Sequence, residues 1–140
     1  MPFVTVRTSA AMSREQELDL KSRIGQAVSF VPGKSEASLL LCFEPPCRLY
    51  LRGAKAPAAL ISADFFGSED HVGFDRFAAA VSRAFDDVLG VPPENVFIRF
   101  GDIGVWSAGC AAFDIARLRW GPHGTQRSDH VHRPDDGPVV

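Results

Sequence analysis

The 140-residue sequence contains no long run of apolar residues and no excess of positive charge. No segment approaches the roughly 20 consecutive apolar residues that a membrane-spanning helix requires. Fifteen lysines and arginines stand against seventeen aspartates and glutamates, which gives a net charge of −2. This balance disfavours nucleic-acid binding through bulk electrostatics. The composition therefore predicts neither a membrane partner nor a nucleic-acid partner.

Cysteine is scarce, and the first residues lack the pattern of a secretory signal. Cys42, Cys47 and Cys110 form an odd set without paired spacing. This favours free thiols in a reducing compartment over a disulfide framework. The opening segment MPFVTVRTS has no basic stretch followed by a long apolar one, as a signal peptide would have. We therefore expect a cytoplasmic protein.

The first half of the chain has the pattern of a β-α-β unit. Residues 3–7 and 38–44 are short apolar segments that predict strands. Between them, Ser13 followed by Gln16 has the form of a capping box that opens a helix. Apolar residues then recur at helical spacing until the Pro-Gly pair at 32–33 ends the helix.

The second half repeats this order. Residues 58–66 and 95–100 predict two more strands, and residues 74–89 between them have the spacing of a strongly amphipathic helix. Gly90 is placed to cap the end of that helix. A further short segment, residues 48–53, predicts an edge or hairpin strand.

Two β-α-β units predict a two-layer α/β fold. Right-handed crossovers make the strands of each unit parallel, and this gives a four-stranded sheet with both helices on one face. The segments LLLCF and VFI are apolar at consecutive positions, which is typical of strands buried on both faces. Two helices cover only one face, so we expect further copies of the chain to cover the other.

The composition changes near the C-terminus. Residues 1–116 form the predicted domain, whereas residues 117–140 are rich in glycine, proline, histidine and charge without periodicity. We expect this second segment to be a flexible tail. Its histidines, His123, His130 and His132, stand near aspartates, but a segment without fixed geometry is a poor metal site. No functional metal is expected.

Pro2 and Lys34 are the clearest candidates for residues that take part in a reaction. Removal of an initiator methionine would leave the secondary amine of Pro2 as the chain terminus, a base with an ordinary pKa near 8. Burial or a nearby cation would lower that pKa toward neutrality, which suits proton abstraction beside a carbonyl. Taken alone, Pro2 is also a common second residue, and Lys34 is also typical of a solvated lysine near a helix C-terminus.

Several fragments, in their order and spacing, resemble the macrophage migration inhibitory factor family of the tautomerase superfamily. They are MPFVTV, PGKSE, LYLRG and LGVPPENVFIRFGDI, and the resemblance covers about residues 1–113. It implies a homotrimer around a central channel, with a pocket at each subunit interface. It also implies keto–enol tautomerisation of phenylpyruvate-like or dopachrome-like α-keto acids or enols, an isomerase activity that uses no cofactor.

The resemblance also suggests roles for individual residues. Pro2 matches the catalytic base, Lys34 matches the substrate-binding lysine, and Phe66 falls where the family has an apolar pocket residue. Phe97 and Arg99 stand where the family commonly has a tyrosine and an asparagine. Phe97 keeps an aromatic wall without the hydroxyl, and Arg99 adds a permanent cation suited to a carboxylate. We therefore expect a substrate preference tilted toward carboxylates.

Phe3 and Trp106 complete the predicted site as apolar walls that help to keep the pKa of the amine low. For Trp106 a purely structural role in the core is equally compatible with the sequence.

Two other functions stay open. A cytokine-like member that binds a protein receptor, with little or no catalysis, would also fit the replacements at positions 97 and 99. Such a protein would be secreted without a signal peptide. A dehalogenase or decarboxylase of the same superfamily would use the same proline together with additional arginines, of which Arg99 is a candidate.

Overall fold

The computed structural model describes residues 1–119. The elements in chain order are β1 (Pro2–Thr8), α1 (Arg14–Ala27), β2 (Leu40–Phe43), β3 (Tyr50–Leu51), β4 (Ala54–Lys55), β5 (Ala59–Phe66), α2 (Phe74–Leu89), β6 (Val96–Ile103), β7 (Val105–Ala108), β8 (Ala111–Asp114) and α3 (Ile115–Arg119).

Helix α1 begins at the predicted capping box. The Ser13 hydroxyl accepts a hydrogen bond from the Gln16 amide at 3.2 Å, and the Gln16 side-chain oxygen accepts one from the Ser13 amide at 2.8 Å. The box satisfies two amide donors that the first helical turn leaves without partners. A single 3₁₀ turn, Val28–Phe30, extends the helix before the chain turns at the predicted Pro-Gly pair.

Helix α2 is amphipathic and ends at Gly90, as predicted. Gly90 has φ +68°, and its amide donates to the carbonyl oxygens of Phe85 and Asp86. A left-handed residue at this position is the usual end of a helix, and glycine adopts it without strain. The buried face of the helix consists of Phe74, Phe77, Val81, Ala84 and Phe85.

The four long strands form one sheet in the order β2-β1-β5-β6. β1 is parallel to β2, β5 is parallel to β6, and the two units meet where β1 runs antiparallel to β5. The buried residues of α1, α2 and one face of the sheet belong to a single apolar cluster. This confirms the predicted two-layer fold with both helices on one face.

We call the other side of the sheet the open face. Side chains alternate along a strand, so the register assigns this face its members: Phe3, Thr5, Arg7, Leu40, Cys42, Leu60, Ser62, Asp64, Phe66, Phe97, Arg99, Gly101 and Ile103. Leu40 is 57% exposed and Phe97 is 45% exposed. The expectation that other copies cover this face stays a prediction.

Two hairpins differ from the sequence-based prediction. The predicted strand at 48–53 is shorter, because Arg52 (φ +54°) and Gly53 (φ +81°) form a tight turn that sends β4 back along β3. A two-residue turn with both residues in the left-handed conformation has the twist that the two strands of a hairpin require. The second hairpin, β7 with β8, and the short helix α3 were not predicted.

The predicted tail lies mostly outside the described residues. Residues 117–119 belong to α3, and the three tail histidines lie beyond residue 119. Within residues 1–119, no helix combines the length and the apolar character needed to cross a membrane. The same part of the chain holds no group of three or more histidine, cysteine, aspartate or glutamate side chains suited to a metal ion.

Candidate active site

The start of β1 is fixed at one end of the sheet. Pro2 is buried and pairs in register with Phe65 on β5. The amide of Phe66 donates a hydrogen bond to the Met1 carbonyl at 3.1 Å. The backbone at the N-terminus is therefore held on both sides of Pro2 by the neighbouring strand.

Lys34 reaches this N-terminus from the loop that follows α1. Its amide donates to the Val31 carbonyl at 3.1 Å, and the turn passes through Gly33 at φ +78°. The half-buried side chain then crosses to β5, where Nζ donates to the Phe66 carbonyl at 2.5 Å. Phe66 therefore holds the Met1 carbonyl through its amide and the Lys34 ammonium through its carbonyl.

The electrostatic setting favours an uncharged terminal amine. Burial, followed by the charge of Lys34 and its hydrogen bond, lowers the pKa of the Met1 amine from 8.0 to about 5. Burial also lowers the pKa of Lys34, partly opposed by that hydrogen bond. An amine with a pKa near 5 is unprotonated at neutral pH and is free to accept a proton.

Phe3 and Trp106 both lie near this end of the sheet, Phe3 on β1 and Trp106 on β7. Because side chains alternate along β1, Phe3 lies on the open face while Pro2 lies on the helix-covered face. The register places Phe3 beside Leu40 and opposite Asp64. Trp106 is half-buried on β7, just beyond the end of β6, and pairs with Phe113 in the second hairpin.

Phe97 and Arg99 lie far from the N-terminus of their own chain. Pro2, Phe65 and Asp102 share one level across three strands. From the strand spacing and the rise per residue, the Cα of Arg99 is about 14 Å from that of Pro2, and the Cα of Phe97 is about 19 Å away. One chain therefore brings together Pro2, Lys34 and Phe66, and leaves Phe97 and Arg99 elsewhere on the open face.

Helix α3 packs beside the candidate site and was missed in the sequence. The amide of Ile115 donates to the Gly104 carbonyl at 2.8 Å. A methyl group at Gly67 would come within 3.3 Å of the Ile115 side chain, so the turn directly after Phe66 packs closely against α3. The available signal was Asp114, whose carboxylate accepts from the Ala116 amide at 2.9 Å and starts the helix.

A histidine–aspartate pair also lies at this end of the sheet. His71 Nε2 is 3.2 Å from the Asp102 carboxylate, and its ring stacks on Phe74 with centroids 5.0 Å apart. His71 has φ +60°, a conformation that costs energy for a residue with a side chain. The pair fastens the 67–73 loop to β6, a long-range contact without a local sequence pattern.

The chain thus forms a duplicated β-α-β sheet with a shielded N-terminus beside a lysine. The family model described as macrophage migration inhibitory factor (MIF) matches residues 1–115. The chain therefore belongs to the macrophage migration inhibitory factor family. No curated protein is significantly similar to it in sequence.

Solved structures of related proteins have the same fold. Leishmania major MIF2 is 18% identical, with a TM-score of 0.73 over 81% of this chain and 97% of that chain. The MIF-like protein of Entamoeba histolytica is 15% identical, with a TM-score of 0.71 over 80% and 98%. Pt0534, solved after inactivation by 2-oxo-3-pentynoate, is 20% identical, with a TM-score of 0.65 over 92% and 99%. At these identities the likeness concerns the fold alone.

Proposed function

We propose that the protein is a keto–enol tautomerase for phenylpyruvate-like or dopachrome-like α-keto acids, with Pro2 as its general base. The observation that supports this most directly is the low pKa, about 5, of the amine at the N-terminus. Removal of Met1 would transfer the terminal amine to Pro2, which is buried and held by β5. Burial and the same lysine would then lower the pKa of the proline nitrogen.

The proposed reaction moves one proton from carbon to oxygen, and it is reversible. The neutral Pro2 nitrogen takes a proton from the carbon beside the carbonyl, and the electrons of the broken C–H bond form the C=C bond of an enolate. The protonated proline then returns the proton to the oxygen, which gives the enol. The reverse sequence gives the ketone, and no external oxidant or reductant is needed.

Lys34 would stabilise the negative charge that forms on the substrate oxygen or hold the adjacent carboxylate. A positioned cation that meets developing charge in a site shielded from water lowers the barrier. The hydrogen bond from Nζ to the Phe66 carbonyl fixes the direction of the side chain. The fixed ammonium then needs little rearrangement when the substrate binds.

The remaining predicted site residues require a second copy of the chain. We propose a homotrimer in which a neighbouring subunit brings its Phe97 and Arg99 to the pocket, because one chain separates these residues from Pro2 by about 14 Å or more. Phe3, Phe66 and Trp106 would form apolar walls. The inactivation of Pt0534 by a 2-oxo acid supports a 2-oxo acid as the substrate class.

The decisive experiment measures tautomerisation of phenylpyruvate by purified protein whose loss of Met1 has been established by mass spectrometry. Pro2→Gly, or acetylation of the terminal amine, should abolish the activity while circular dichroism remains unchanged. Pro45→Ala, at an exposed loop proline, is the matched control and should retain full activity. Unchanged activity in Pro2→Gly, or retained Met1 in the active protein, would refute the proposed base.

A second candidate is a cytokine-like ligand that binds a protein receptor and has little catalytic activity. Phe97 favours it, because phenylalanine lacks the hydroxyl expected at that position and is 45% exposed in the chain. Absence of turnover with several 2-oxo acids, together with saturable binding to cells, would support this function. Fractionation of the native cells would separate the proposed cytoplasmic location from export.

A further inference from the structure

Two arginines lie on the open face, Arg7 with an acidic partner and Arg99 without one within residues 1–119. The Arg7 guanidinium forms an ion pair with the Glu44 carboxylate. Arg99 is exposed, and within residues 1–119 no hydrogen bond or ion pair joins its guanidinium to another side chain. Arg99 is therefore a permanent cation without a counter-charge in this part of its own chain.

The acidic residue on the neighbouring rung of the sheet does not neutralise Arg99. The register places Ser62 opposite Arg99, and Asp64 opposite Gly101. A side chain at Gly101 would overlap the Asp64 carboxylate oxygen, so that carboxylate lies over the glycine. The absence of a side chain at position 101 lets Asp64 fold across β6 without an ion pair to Arg99.

An assembled site would therefore contain two positive charges. Lys34 supplies one beside the chain terminus, where burial and the lysine itself lower the pKa of the Met1 amine. Arg99 of a neighbouring subunit supplies the other. The other members of the proposed site carry no charged side chain, and they are Pro2, Phe3, Phe66, Phe97 and Trp106. Asp64 lies opposite Phe3 on the open face, but its carboxylate is turned over Gly101.

A charge that an interface removes from water is costly unless a counter-charge accompanies it. A substrate with one carboxylate would satisfy only one of the two cations. We infer that the preferred substrates are short 2-oxo dicarboxylic acids, whose two carboxylates bind Lys34 and Arg99, an inference that rests on the proposed tautomerase function. Aromatic monocarboxylates then become secondary substrates.

The test compares 2-oxoglutarate with 5-methyl-2-oxohexanoate, a monocarboxylate of nearly the same shape. Proton NMR in D₂O follows enzyme-dependent exchange of the C3 protons for both acids. The wild-type protein should favour the dicarboxylate in kcat/KM by about tenfold or more, the range expected for a charge-assisted contact. Arg99→Gln should remove this preference by lowering the dicarboxylate value far more than the monocarboxylate value, and Arg99→Lys should retain part of the preference.

Arg7→Gln is the matched control, because it removes an arginine of the same face that already has a partner. It should keep the wild-type preference, and light scattering should show equal assembly sizes for all variants. Equal kcat/KM values for the two acids in the wild-type protein would overturn the dicarboxylate inference and leave the tautomerase proposal intact, as would an equal loss for both acids in Arg99→Gln. Absence of Pro2-dependent exchange with both acids would overturn the dicarboxylate inference, and only the additional absence of Pro2-dependent phenylpyruvate tautomerisation would overturn the tautomerase proposal.

Discussion

The ammonium of Lys34 lies 2.5 Å from the carbonyl oxygen of Phe66, across 32 positions of the sequence. This contact joins the loop after α1 to the end of β5 and fixes a cation next to the chain terminus. The same lysine contributes to the low pKa of the terminal amine, although burial is the larger cause. In the proposed reaction, this one side chain would lower the pKa of the base and would also bind the substrate anion.

Substitution of Lys34 should shift the pH profile of the reaction. Only the unprotonated amine accepts a proton, so kcat/KM should rise with pH through the pKa of the amine and level off above it. Burial and Lys34 lower the pKa of the Met1 amine from 8.0 to about 5, and we expect a shift in the same direction for the Pro2 amine that replaces it. Lys34→Gln removes the positive charge and retains the burial, so the acidic limb should move to higher pH while kcat/KM falls on the plateau.

The measurement is kcat/KM for phenylpyruvate between pH 4 and pH 9. Lys21→Gln serves as the control, because Lys21 is an exposed lysine of α1 that pairs with Glu36. It should leave both the plateau and the limb in place. An acidic limb at the same pH in Lys34→Gln and wild type would show that the lysine does not tune the base.

The sequence predicted the elements whose signals are local. The Ser13–Gln16 box and the glycine after α2 marked helix ends, and the structure confirms both. The His71–Asp102 pair joins segments 31 positions apart, and such a contact leaves no periodic pattern in the chain. The β7–β8 hairpin is local, since its strands are separated by only two residues, but its short strands lack the β-branched alternation on which the other strand predictions rested.

The candidate site was predictable only in part. Pro2, Lys34 and Phe66 came from a resemblance, and the structure places them together. The separation of Phe97 and Arg99 from Pro2 was not visible in the sequence. It follows from strand order and register, which place β6 two strands away from β1.

Gly73 should be far less tolerant of alanine than Gly90. Both have positive φ, +82° and +68°, so alanine costs about 1 to 2 kcal/mol at either position from backbone strain. A methyl group at Gly73 would also overlap the carbonyl oxygen of Phe30, whereas Gly90 has nothing within 4 Å. The additional overpacking should destabilise Gly73→Ala by about 1 to 3 kcal/mol beyond Gly90→Ala.

Urea unfolding of the two glycine variants tests this difference directly. Because the backbone strain is shared, the comparison isolates the contact between the α2 entry and the Phe30 carbonyl. Equal midpoints for the two variants would show that the loop before α2 moves aside at no cost.

Ser13→Ala should destabilise the protein by about 1 kcal/mol, the usual value for a lost N-cap. The substitution removes the acceptor of the Gln16 amide and breaks one half of the capping box. Ser22→Ala is the control in the exposed middle of α1, where alanine is a slightly better helix former. Thermal unfolding followed by circular dichroism should show a lower unfolding midpoint for Ser13→Ala and an unchanged one for Ser22→Ala. A lower midpoint in both variants would assign the effect to the helix as a whole.

A charge introduced on the open face should prevent assembly and leave the fold of the single chain intact. Phe97 and Leu18 are almost equally exposed in the single chain, at 45% and 46%, but Phe97 lies on the open face and Leu18 on helix α1. If other copies cover the open face, Phe97→Glu places an unpaired carboxylate in an apolar interface, which is costly. Light scattering should then show a smaller particle for Phe97→Glu and an unchanged one for Leu18→Glu. Equal masses for these two variants and the wild type would contradict assembly through this face, and preserved circular dichroism would exclude unfolding as the cause of a smaller particle.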